Sequence, residues 1–128
     1  MGRIIANVSL CNALDSNMSI CCDALVDTGA SYLTLPLKWK SRLGKFEDEQ
    51  EIECQTATQD TVKGIVVGPV KISIEGFRTI FNEVLFLDMH PEDGSYEPLI
   101  GYIILEQCGA AVDMIGHRLV PVKYMDLK

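Results

Sequence analysis

The sequence predicts an all-β fold: a small closed β barrel of about eight to ten strands with one or two short helices. Three observations carry this. Turn-forming residues recur at short, regular intervals along the chain. Most segments between them are rich in Val, Ile and Leu. One segment, Val70-Lys71-Ile72-Ser73-Ile74-Glu75, alternates cleanly between apolar and polar, as a half-buried strand does. A length of 128 residues supplies one core and not two, so residues 1–128 read as a single domain.

The elements follow in chain order. A first strand spans residues 3–10, Asp15-Ser16-Asn17 turns the chain, and a second strand spans 18–26. The second strand becomes continuously apolar at Ala24-Leu25-Val26, as a strand covered on both faces does, and Asp27-Thr28-Gly29 breaks it. A short strand over 32–35 leads to Pro36, which opens a short helix over 37–43 that Gly44 closes. Residues 45–50 are polar and read as a loop or a weak edge. Residues 51–57 and 61–67 form a hairpin around Thr58-Gln59-Asp60, and Gly68-Pro69 turns the chain into the alternating segment. Gly76 turns it again before a strand over 79–87. Residues 88–97, with His90-Pro91-Glu92-Asp93-Gly94, read as a surface loop. An apolar segment at 98–100 stops at Gly101, and a short helix over 102–108 ends at Gly109. Residues 111–115 and 118–122 pair as a final hairpin across Gly116-His117.

Composition narrows the function. With 48% apolar and 23% charged residues the chain is an ordinary globular sequence, not a disordered one. A net charge of -7 without any Lys/Arg cluster argues against nucleic acid and anionic membrane as partners. The N-terminal apolar run is broken by Asn7 and is neither a signal peptide nor a membrane span. Ala6 stands where a myristoylation motif wants Ser or Thr. Five cysteines without an export signal point to reduced thiols and a cytoplasmic location. On the same ground the two Asn-x-Ser sequons, at Asn7 and Asn17, are chance matches. No Cys-x-x-Cys or His-x-x-x-His spacing occurs, so no metal site is expected, and buried inert thiols are the reading for the cysteines. Cys21 and Cys22 are adjacent on a strand and face opposite ways. Trp39 reads as partly buried packing in the first helix. No Gly-rich phosphate loop is present, and no cofactor is expected.

The chemistry concentrates in Ala24-Leu25-Val26-Asp27-Thr28-Gly29-Ala30-Ser31. An acid at the end of a buried apolar strand is costly to ionise and needs hydrogen-bond partners. Thr28 offers a hydroxyl, and Gly29 permits a sharp turn and the close approach of another chain. Taken alone, Asp-Thr-Gly equally fits a turn in which Asp27 bonds its own backbone.

In context the stretch resembles the retropepsin-like aspartic proteases, in which an apolar strand ends in Asp-Thr/Ser-Gly-Ala/Ser. Leu99-Ile100-Gly101, followed by Tyr102-Ile103-Ile104-Leu105-Glu106, is similar to the family's second element, two apolar residues and a Gly leading into a short helix. Val112-Asp113-Met114-Ile115-Gly116-His117-Arg118-Leu119-Val120 resembles the final strand, turn and strand of bacterial members. The likeness covers roughly residues 18–122.

The resemblance implies an aspartic endopeptidase with Asp27 as catalytic carboxylate. Such an enzyme needs two carboxylates that share a proton, because two adjacent negative charges cannot both persist. The chain has a single Asp-Thr-Gly, so the second Asp27 is expected from another copy across a two-fold axis, in a homodimer. The family match further implies that Thr28 bonds its symmetry mate's backbone and that Gly29 accepts the backbone of an extended peptide. Ala30 stands where members working near neutral pH often carry Ala, and Gly101 is expected to pack under the catalytic loop. The hairpin at residues 51–67 occupies the place of the flap, whose tip would be Thr58-Gln59-Asp60; with Ser31, Thr58 and Gln59 are the further candidate substrate contacts.

Three departures stand out. The flap tip lacks the glycines common there. Ser31 and Tyr102 occupy the positions of an Asp–Arg ion pair in viral members, so the interface must be held differently. The loop at residues 88–97 is longer than in the viral enzymes and reads as solvated. Two other readings remain open at this point: a silent dimeric peptide-binding module of the same family, and an unrelated β barrel with a chance Asp-Thr-Gly.

Overall fold

Alternation decides the first hairpin. Strand β1 (Ile5–Asn12) buries Val8, Leu10 and Asn12 and turns Ser9 outward, and β2 (Asp15–Val26) returns antiparallel with Val8 opposite Cys22 and Leu10 opposite Ile20. The protein is described here by a computed structural model, covering residues 3–55, 59–89 and 97–122.

Among the described residues there are nine strands, one 3-10 helix and one α-helix. After β2 come β3 (Leu33–Pro36), the 3-10 helix (Leu37–Arg42), β4 (Asp48–Gln55), β5 (Thr61–Ile74), β6 (Ile80–Leu87), β7 (Leu99–Ile100), α1 (Tyr102–Cys108), β8 (Ala110–Asp113) and β9 (Arg118–Pro121). The main sheet runs β1-β2-β7-β3-β6-β5-β4, and β5 also pairs with β1 through Val8–Ile74 and Leu10–Ile72. That pairing closes six strands into a ring, with β4 attached outside it along β5. β8 and β9 form a separate two-stranded sheet.

The ring encloses the core. Val8, Leu33, Leu35, Leu43, Val67, Val70, Val84, Phe86 and Ile100 are fully buried. Each large side chain of this set stabilises the fold by about 1.5–3 kcal/mol. The 3-10 helix covers one side: Trp39 is half-buried against the core, and the Arg42 guanidinium lies 5.0 Å from its ring centroid. α1 turns Ile104, Leu105 and Cys108 inward and stops at Gly109, whose φ of 72° places it in the left-handed region that favours glycine.

Three expectations need correction. The first turn is Ala13-Leu14, and Asp15 to Asn17 already belong to β2. The buried Asn12 holds the earlier turn: its Nδ2 donates to Leu43 O (2.9 Å) and its Oδ1 accepts from Leu14 N–H (2.9 Å), while Asp15 Oδ1 accepts from Asn17 N–H (3.2 Å) within the strand. Gly68-Pro69 does not end a strand. The peptide bond there is cis, the register with β6 shifts between Val67 and Val70, and β5 continues. Val67 and Val70 are both fully buried, so the apolar run on either side outweighs the turn signal. The cysteines are not uniformly buried: Cys108 is, Cys11, Cys22 and Cys54 are half-buried, and Cys21 is exposed. The adjacent pair on β2 does face opposite ways.

Candidate active site

Asp27 sits where β2 runs out. Leu25 and Val26 pair in parallel with Leu99 and Ile100 of β7, and β7 in turn meets β3 at Thr34. Asp27 N–H donates to Ile100 O (3.0 Å), the last bond of that ladder. On the other side Val26 N–H donates to Ile4 O (2.8 Å). The aspartate is thus fixed at its root by two neighbouring chain segments, and its side chain is half-buried.

Beyond it the chain turns tightly. Ala30 N–H donates to Asp27 O (3.1 Å), and Gly29 N–H donates to Asp27 Oδ1 (2.9 Å). The carboxylate therefore bonds its own loop, as an Asx turn does. Thr28 and Gly29 are exposed at the tip, while Ala30 and Ser31 are half-buried. A Cβ added to Gly29 would stand 3.2 Å from Asp27 Oδ1 and crowd the carboxylate.

The second motif holds this loop from beneath. Tyr102 N–H donates to Ala30 O (2.8 Å) and Ile103 N–H to Ser31 O (3.3 Å), so the first amides of α1 are satisfied by loop carbonyls. Gly101 is buried between them. A Cβ there would lie 2.4 Å from Ser31 C and 2.6 Å from Tyr32 O, which only glycine permits. Asp27, Thr28, Gly29, Ala30, Ser31 and Gly101 are one assembly.

The hairpin candidates lie apart from it. β4 and β5 pair from Asp48–Gly68 out to Gln55–Thr61, well beyond the ring. Gln59 is exposed with φ 67° and has no hydrogen bond to the loop among the described residues. Thr58 and most of the predicted surface loop, residues 90–96, lie outside the described residues.

One feature went unread in the sequence. Leu33 and Leu35 point into the core, so Thr34 faces the other way, where the register continues through Leu85 to Val66. Leu85 and Val66 are buried yet stand outside the core cluster. In the next row Leu85 and Leu87 close over Gly64, whose added Cβ would meet their Cδ1 atoms at 3.0 and 3.1 Å. The face is apolar and joins Leu99, the residue paired with Leu25 just before Asp27. The uninterrupted apolar run Val84-Leu85-Phe86-Leu87 was its available signal.

These features agree with what comparison with known proteins finds. A family model described as aspartyl protease matches residues 19–102, more than half of the chain. Among solved structures, the protease of EIAV in complex with an inhibitor superposes with a TM-score of 0.63 at 22% identity. The match covers 88% of this chain and 94% of that one. No curated protein matches. A family match that spans both the Asp27 loop and the Gly101 segment, on a barrel shared with a retroviral protease, makes the chain a member of the retropepsin-like aspartyl protease family.

Proposed function

We propose that the chain is an aspartic endopeptidase whose active site is completed by a second copy, each contributing Asp27. The observation that carries this is the anchored half-site: one Asp-Thr-Gly loop, held by Ile100 O at its root and by α1 beneath it, with a single catalytic-type carboxylate. Such a rigid loop can present Asp27 to its mate across a two-fold axis, and the exposed Thr28 is available to bond the facing loop.

In this reading the two carboxylates share one proton, because two adjacent negative charges cannot both persist. The ionised carboxylate takes a proton from a bound water as its oxygen attacks the scissile carbonyl carbon. The protonated partner gives its proton to the carbonyl oxygen, forming a tetrahedral diol. One carboxyl then gives its proton to the amide nitrogen as the C–N bond breaks, a diol hydroxyl gives its proton to the other carboxylate, and an acid and an amine leave with the shared proton restored. Gly29, Ser31 and the hairpin residues Thr58 and Gln59 are assigned to the peptide backbone. The β4–β5 hairpin is assigned the closing role, adding strand-like hydrogen bonds and excluding water.

The test is a peptide-library digest with concentrated protein from acid to neutral pH, with the Asp27→Asn protein beside it. Cleavage by the parent alone is expected. Folded, dimeric parent protein that cleaves nothing across that range would refute the enzymatic reading and favour a silent peptide-binding module.

A further inference from the structure

The root of the β4–β5 hairpin carries a groove that the proposed chemistry does not use. Its volume is 670 Å³. β5 lies between β4 and β6, so Val66, Gly68 and Pro69 form the middle of the groove. The chain entering β4 borders one side with Glu47 and Asp48, and β6 borders the other with Phe81 and Glu83. The ladder sets this arrangement. Asp48 stands opposite Gly68, and Glu83 lies across that glycine, where an added Cβ would meet its Cγ at 3.1 Å. The hairpin tip is at the other end of the same ladder, beyond Gln55–Thr61, about 20 Å along β4.

Three properties define what fits. The first is sign. Glu47, Asp48, Glu49 and Glu83 line the groove, and among the described residues no Lys or Arg does; Lys71 stands opposite Phe81 in the ladder but outside the lining. Glu49 is paired with Lys40 (2.9 Å), whereas no ion pair engages Glu47 or Asp48 among the described residues. The second is spread. Among the described residues no three such groups converge as metal ligands do. Charge strung along a groove suits several cations on one chain better than a single ion. The third is the ring of Phe81, 58% accessible. A Lys or Arg head group between a ring face and carboxylates gains from both, and its methylene stem can cover Val66 and Pro69. The chain already uses this contact once, at Arg42 over Trp39. A second copy is a poor occupant, because a chain of net charge -7 repels its own acidic face.

We infer that this groove docks a Lys- or Arg-rich segment of a partner protein, with the basic head groups held between Phe81 and the carboxylates of Asp48 and Glu83. The docking does not depend on the proteolytic reading, since an enzyme and a silent module would both show it. In an enzyme it would lower KM for proteins that carry a basic stretch and leave kcat unchanged, because the contacts are the same before and during the reaction.

Fluorescence anisotropy of a labelled peptide of alternating Lys and Ala tests this, in the Asp27→Asn protein so that the probe stays intact. Glu83→Lys and Phe81→Ala are the variants. Both side chains are exposed, so their melting temperatures should match that of Asp27→Asn alone. Glu75→Lys is the control: it changes net charge by the same amount at the exposed turn after β5. The expected result is salt-sensitive binding, weakened about tenfold or more by Glu83→Lys and severalfold by Phe81→Ala, and little changed by Glu75→Lys. Absence of binding at low salt would overturn the inference, as would binding that neither groove variant weakens. Equal weakening by Glu75→Lys would mean general attraction to an acidic chain and would also overturn it. Spermine binding as tightly as the peptide would replace the protein segment with a polyamine. Should Glu83→Lys unfold, Phe81→Ala and Asp48→Asn decide.

Discussion

At the level of single residues, the Asp27 carboxylate is positioned before any substrate arrives. Its Oδ1 takes the Gly29 N–H, and the backbone on either side is pinned to Ile4, Ile100 and α1. Asp27→Asn keeps the shape and removes the acid–base function, so turnover should fall by roughly a thousandfold or more while the melting temperature barely moves. Gly101→Ala should do the reverse in order of cause. Its methyl group collides with Ser31 backbone at 2.4 Å, so the protein should lose about 1–3 kcal/mol or more in urea unfolding, with activity lost through the displaced loop. Glu49 sets part of the acid limit. The Lys40 ammonium (2.9 Å) and then the Phe46 N–H (3.0 Å) hold its carboxyl below the usual carboxylate range. Its stabilisation is therefore complete above the ordinary Glu value of about 4.3 and is lost as pH falls through the depressed one. Glu49→Gln should lower the urea midpoint at neutral pH and converge with the parent in acid. That comparison separates acid unfolding from loss of the proposed activity in acid.

Among the elements, those with strong local chemistry were legible in the sequence. α1 spans Tyr102–Cys108 as expected because Gly101 and Gly109 bracket an apolar stripe. The Asp27 loop and its Gly101 support were readable through the family resemblance, and the clash an added Cβ would make at Gly101 supplies the physical reason. What could not be read depended on which neighbour a strand acquires. β5 runs through Gly68-Pro69 because β6 pairs with it on both sides, a fact of tertiary pairing. The Thr34–Leu85–Val66 face needed the register of β3 against β6, two strands distant in sequence. β2 offers a direct check of strand phase. Cys21 is exposed, whereas burial first, and then the neighbouring Cys21 and Asp23, push the Cys22 thiol up to about 11. At pH 8 about one Cys22 in a thousand would be thiolate. Iodoacetamide should thus label Cys21 well before Cys22, and mass spectrometry of the digested protein reads the order; Cys22 labelled first would mean that β2 is slipped by one residue.

On the scale of the whole molecule, the proposed two-copy site makes activity a property of pairs: on that proposal every catalytic event needs two intact copies. Mixing then gives a quantitative signature. Asp27→Asn chains should keep the fold and enter the proposed dimers with parent chains at random. At tenfold excess of the variant about one parent chain in eleven finds a parent partner, so cleavage by a fixed amount of parent should fall to about a tenth. The mixture must first be incubated long enough for subunits to exchange, which a tagged parent chain pulling down untagged variant establishes. Cleavage that stays constant despite proven exchange would mean that a single Asp27 suffices. In that case the partner carboxylate would have to lie within the same chain, where Asp-Thr-Gly occurs once.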